Sequence, residues 1–153
     1  MYRYFWRRRA VAVKLFGKSE KKHNVSDVVS ISMSCGCMDY SYHYSFTLYF
    51  ENGEWRFSAD CFTHDRTEPT EFSDRSVKND DVKTALDILE KNGVAEYVEK
   101  YKPPKKLPFH VLDETTYSFC LGFSDGNRIC SEIAGEAQNE LNDFFYRLAE
   151  SYK

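Results

Sequence analysis

The segment Tyr44–Gly53 reads Tyr-Ser-Phe-Thr-Leu-Tyr-Phe-Glu-Asn-Gly, and 73 residues later Tyr117–Gly126 reads Tyr-Ser-Phe-Cys-Leu-Gly-Phe-Ser-Asp-Gly, with six of ten positions identical. Each copy alternates apolar with polar side chains and then reaches Asn-Gly or Asp-Gly, a pair that tolerates the positive φ angles of a tight hairpin turn. A chain that spells this pattern twice is expected to build two β-hairpins, each followed by a helix. The fold class that follows is α+β, an antiparallel sheet of about five strands with helices packed on one face, as a degenerate hairpin-helix duplication.

The first copy specifies its register. A two-residue turn at Asn52-Gly53 sets Phe50 against Trp55, Leu48 against Phe57, Phe46 against Ala59 and Tyr44 against Cys61, so both strands turn their apolar sets to one side. Upstream, Val29, Ile31, Met33 and Cys35 share one parity and Ser30, Ser32 and Ser34 the other, predicting a strand with one apolar face. The second copy allows two registers. A two-residue turn at Asp125-Gly126 sets Phe123 against Arg128 and Leu121 against Cys130. A three-residue turn over Asp125-Gly126-Asn127 sets Phe123 against Ile129 and Phe119 against Ile133, keeps both isoleucines in the core, and is preferred.

Between the hairpins, residues 62 to 79 read as loop with a short edge strand at Glu71 to Val77. Asn79 or Asp80 is expected to cap a helix with a buried stripe of Val82, Ala85, Leu86 and Leu89, ended by Gly93. A short helix over Val94 to Tyr101 and a proline-stiffened connector over residues 102 to 108 follow. A last helix from Glu136 carries Ala137, Leu141, Phe144, Phe145, Leu148 and Tyr152 on one wide stripe, which must cover the apolar side of the sheet.

The net charge of −3 hides an asymmetry. Residues 1–24 hold eight Lys or Arg against Glu20, a net +7, which leaves −10 on residues 25–153. The chain is therefore read as a basic arm (1–24) on a single acidic α+β domain (25–153). An acidic body repels nucleic acid, whereas Tyr2, Phe5, Trp6, Arg7, Arg8 and Arg9 have the aromatic and cationic composition of a helix lying on an anionic membrane. Val13 also reads as a bacterial start if it were an initiation codon, in which case residues 1–12 would not be translated. The apolar run at residues 10–16 contains Lys14 and lacks a small-residue cleavage pattern, so it is not read as a secretory signal. Five cysteines, an odd number without framework spacing, are expected as reduced thiols. The expected location is cytoplasmic, peripheral at the membrane if the arm binds lipid.

Two sets of residues could carry function. Cys35, Cys37, Cys61 and His64 fall at one end of the sheet and could converge on zinc, the one cofactor the residues suggest, although the spacing is not that of a zinc ribbon and Cys35 and Cys61 have core parity. His43, Ser45, Thr47, Tyr49, Arg56, Ser58 and Asp60, with Ser32 and Ser34, lie on the outward sheet face and suit recognition of another protein. No nucleophile is paired with a base, and no glycine-rich phosphate loop is present.

Over Asp80–Tyr101 and Asp113–Tyr152, where a helix ending near glycine precedes a Thr-Tyr-x-Phe hairpin with Asp-Gly and an amphipathic helix, the second half resembles uncharacterised bacterial hairpin-helix domains. That resemblance implies a fold and no activity. The expected function is a non-enzymatic binding or regulatory module, of the immunity type among others. The alternatives are a zinc- or thiol-dependent protein and a peripheral membrane protein held by the arm.

Overall fold

A computed structural model describes residues 22–36, 43–62, 69–100, 116–131 and 136–152. Residues 37–42, 63–68, 101–115, 132–135 and 153, with the arm up to residue 21, lie outside that set.

The sheet starts from β1 (Val28–Gly36), which pairs on one side with β2 (His43–Glu51) and on the other with β5 (Thr116–Phe123). β3 (Glu54–Phe62) and β4 (Thr70–Ser76) extend the sheet beyond β2, and β6 (Arg128–Ser131) closes the other side, in the order β4-β3-β2-β1-β5-β6. All pairs are antiparallel, and the strands number six rather than about five because the edge strand β4 joins β1 and the two hairpins.

The repeated decapeptides turn out to be the two neighbours of β1, in matching register. Cys35 faces both Tyr44 and Tyr117, Met33 faces both Phe46 and Phe119, and Ile31 faces both Leu48 and Leu121. A strand paired on both edges presents the same row of side chains to each neighbour, so the same alternation of apolar and polar residues satisfies both. The copies differ where the backbone differs. The β1–β5 pairing shifts between Val28 and Ser30, and there Gly122 replaces the tyrosine of the first copy. A Cβ on Gly122 would lie 2.3 Å from Ser30 Oγ, so a larger residue there would force that serine to turn its hydroxyl away. The same irregularity overturns the parity expected for Val29: Val28 is buried and Val29 only half-buried.

The β2–β3 hairpin has the register expected from its turn, Tyr44 to Cys61 through Phe50 to Trp55, with Asn52 at φ 53° and Gly53 at φ 85°. The β5–β6 hairpin corrects the preferred register. Leu121 faces Ile129 and Phe119 faces Ser131, two residues away from the expected offset although on the expected parity. Its loop is Ser124-Asp125-Gly126: the Gly126 N–H donates to Phe123 O (2.9 Å), the Phe123 N–H donates to Asn127 O (2.9 Å), and Gly126 takes φ 83°.

The helical layer covers the apolar face. α1 (Asn79–Lys91) buries Val82, Ala85 and Leu89, with Leu86 half-buried against the core. Its N-cap is Lys78 rather than Asn79 or Asp80, and no side chain caps it; Asp80 and Asp81 in the first turn instead complement the helix dipole. Gly93, at φ 60°, turns the chain into α2 (Val94–Lys100). α3 (Glu136–Ser151) supplies the aromatic contacts: Phe145 stacks on Phe46 and on Phe57 at 5.6 Å each, and Tyr146 meets Phe46 edge-on at 5.0 Å. Phe46, Phe57, Phe119 and Phe145 are completely buried, each a gain of about 1.5–3 kcal/mol of hydrophobic transfer.

One cysteine expectation is overturned. Cys120 and Cys130, read as reduced thiols, form a disulfide across β5 and β6. The two residues are register partners with Cα atoms 4.1 Å apart, close to the roughly 4.5 Å of a non-hydrogen-bonded antiparallel pair.

Candidate functional site

The face of the sheet opposite the helices carries all seven residues expected for recognition. Strand alternation aligns them in consecutive pairs: Ser45 with Asp60, Thr47 with Ser58, Tyr49 with Arg56, and His43 with Phe62 at the end. The serines of β1 continue the rows, Ser34 beside Ser45 and Ser32 beside Thr47.

The face is held in place from β4. Opposite Ser58 the β3–β4 pairing shifts, and Asp74 adopts φ 58°, a left-handed conformation that Asp tolerates better than most residues. The Asp74 N–H donates to Ser58 Oγ (3.1 Å), the Tyr49 hydroxyl donates to the Asp74 carboxylate, and Arg56 Nη1 reaches Asp74 O (3.4 Å). Arg56 Nη2 also meets Glu54 Oε1 at 2.6 Å, and Ser76 Oγ donates to Glu54 Oε2 at 3.2 Å. The hydrogen bond to Asp74 is the main reason the Tyr49 phenol titrates above its ordinary value. Tyr49 is thus kept as a neutral hydroxyl, suited to contact rather than to nucleophilic chemistry. His43 Nε2 lies 3.2 Å from Asp60 Oδ1, a more exposed pair at the other end of the face.

The zinc set is only half within view. Cys35 and Cys61 are buried on the helix side, in one row with Tyr44 on the strand between them, so their backbones stand about 9.5 Å apart. Cys37 and His64 lie outside the described residues. Among the described residues no group of three or more His, Cys, Asp or Glu is placed to hold a metal ion. The arm residues Tyr2, Phe5, Trp6, Arg7, Arg8 and Arg9 are likewise outside, and no described helix is long and apolar enough to cross a membrane.

A second polar cluster was not anticipated, because its members are far apart in sequence. His23, assigned to the arm, is a docked residue whose side chain is only 8% exposed. Its ring stacks on Phe123 at 4.1 Å, with Nδ1 2.6 Å from Glu99 Oε1 on α2 and Nε2 2.8 Å from Asp125 Oδ2 in the β5–β6 turn. With both ring nitrogens on carboxylates, the imidazolium is the form that satisfies every partner, and neither nitrogen is left to act as a base. Beside it, residues 23–26 with α1 and α2 line an open cleft of about 620 Å³ bearing Lys83, Asp87, Glu90 and Glu96.

The cluster makes stability depend on pH. The hydrogen bond to Asp125, followed by that to Glu99, raises His23 above its ordinary 6.5 despite the opposing effect of burial. The stabilisation is therefore complete below about pH 6.5 and is lost as pH rises through the elevated folded value. Asp125 is lowered to about 2, first by the Asn127 N–H and then by His23, so its contribution disappears only as pH falls toward that value. The melting-temperature gap between the wild type and His23→Gln should be wide just below about pH 6.5 and narrow as pH rises through the elevated folded value. A gap that is constant with pH would show that the imidazolium does not hold these elements together.

No family model, curated protein or solved structure matches the chain, so the residues themselves carry any functional reading.

Proposed function

We propose that this chain is a non-enzymatic binding module, of the small regulatory or immunity kind, that engages another protein through the outward face of β2 and β3. The observation that supports this most directly is the fixing of Tyr49, Arg56 and Ser58 by the displaced Asp74 of β4. Tyrosine and arginine are the side chains most often dominant in protein interfaces, and side chains already held in place lose less entropy on binding. The charges on the face are mixed, with Arg56 beside Glu54 and with Asp60 further along β3. That mixture suits a polar protein surface better than a phosphate backbone, which calls for an excess of cations.

A photo-reactive residue at Thr47, on this face, should capture one protein in the cell of origin, whereas the same residue at Lys83, on the helical side, should not. With that partner purified, Tyr49→Ala and Arg56→Ala should each weaken binding about 30-fold, the effect of a residue worth about 2 kcal/mol. Equal capture from both positions, or unchanged affinity of both variants with unchanged melting temperatures, would remove the face from consideration.

A further inference from the structure

The Cys120–Cys130 disulfide occupies a different place from a buried staple. Phe119 and Leu121 point into the core, so Cys120 between them projects to the outward face, and Cys130 opposite it does the same. Cys130 is exposed, while Cys120 is 6% exposed and has Ser32 of β1 directly opposite on its other side. β6 is the outermost strand of the sheet.

Thiol–disulfide exchange requires a thiolate to approach a sulfur roughly in line with the bond that breaks, and which sulfur it can reach depends on access. The bond here bridges β5 to β6. An in-line approach to the Cys130 sulfur comes from beyond the sheet edge, where no described strand lies, whereas an approach to the Cys120 sulfur must pass over β1.

We propose that Cys120–Cys130 is a thiol–disulfide exchange site at which a low-molecular-weight thiol of the glutathione class attacks Cys130, with Cys120 as the leaving group. The attacking thiolate bonds to Cys130 Sγ, the disulfide breaks, and the electron pair departs on Cys120 Sγ, which takes up a proton from water. A second thiol then displaces Cys130 from the mixed disulfide. Two low-molecular-weight thiols are oxidised to one disulfide, and the protein disulfide is reduced to two thiols. The hairpin survives the step because its other face is held independently: Phe119 and Leu121 are completely buried, Leu121 faces the half-buried Ile129, and four register pairs join the strands. What reduction releases is the outer tie of the edge strand.

The test is incubation of native protein with reduced glutathione, without denaturant, followed by acid quench and peptide mass mapping. The expected first product carries glutathione on Cys130 and a thiol on Cys120, and it forms at least about 100-fold faster than the global opening reported by the slowest-exchanging core amides. Glutathione found on Cys120, or reduction no faster than global opening, would overturn the proposal and leave a static cross-link. So would protein that keeps both thiols after exposure to oxidised glutathione. In the single variants, oxidised glutathione should modify Cys130 in Cys120→Ser at least about 10-fold faster than Cys120 in Cys130→Ser. If either variant fails to fold, mapping of the wild type still decides.

Discussion

Replacing Phe46 by alanine should lower the unfolding free energy by about 3–5 kcal/mol, the usual cost of emptying a buried phenylalanine site. Phe46 is completely inaccessible, and its ring meets Tyr44, Phe57, Phe145 and Tyr146 at 5.3, 6.2, 5.6 and 5.0 Å. The cavity would thus open between sheet and α3, with Met33 on the neighbouring strand the one register partner flexible enough to fill part of it. For a chain of this size the loss corresponds to a fall of about 10 °C or more in melting temperature. Thr47→Ala, one residue along and on the outward face, should stay within about 0.5 kcal/mol of wild type. Equal melting temperatures for the two variants would contradict the assignment of the two faces.

Removing the disulfide should have the next largest effect. Cys120 and Cys130 are 10 residues apart, and closing a loop of that size restricts the unfolded chain by about 2.5–3 kcal/mol in the chain-entropy treatment. The Cys120→Ser/Cys130→Ser double variant should unfold at correspondingly lower urea concentration with a dependence on denaturant as steep as wild type or steeper, because an unfolded chain freed of the cross-link exposes more surface. A variant as stable as wild type would mean that the unfolded chain is already restricted there, or that the pair is reduced in the reference protein.

The difference between what the residues disclose and what they conceal is physical. The β2–β3 register was readable because Asn52-Gly53 fits one turn type and every apolar pair agrees with it. The α+β class, the buried stripe of α1 and the aromatic stripe of α3 were readable from periodicity alone. The β5–β6 register was not, because Asp125-Gly126 fits several loops of the same parity. The decisive contacts are backbone hydrogen bonds from Phe123 and Gly126, to which side-chain pattern is blind. That error concealed the disulfide, since the displaced register set Cys130 against Gly122. The signal that could have found it was the presence of two cysteines flanking one turn. The seven outward residues followed from alternation, but the pinning of Tyr49 and Arg56 depends on a shift in β4 that no pattern announces. His23 was hidden by distance, with partners 76 and 102 residues away.

The position of β1 has a consequence for how the chain reaches this state. β1 can pair with β2, the next strand in the chain, and β3 and β4 add in sequence, so four of the six strands assemble from near neighbours. Its other edge must wait for β5, about 90 residues further on, and closing so long a loop is slow. Until then a strand of alternating serine and apolar residues, Ser30 to Cys35, presents unpaired backbone groups along its length, and these can template pairing with a second chain. During synthesis, the interval between completion of the β1–β4 meander and arrival of β5 is therefore the period in which self-association competes most directly with folding.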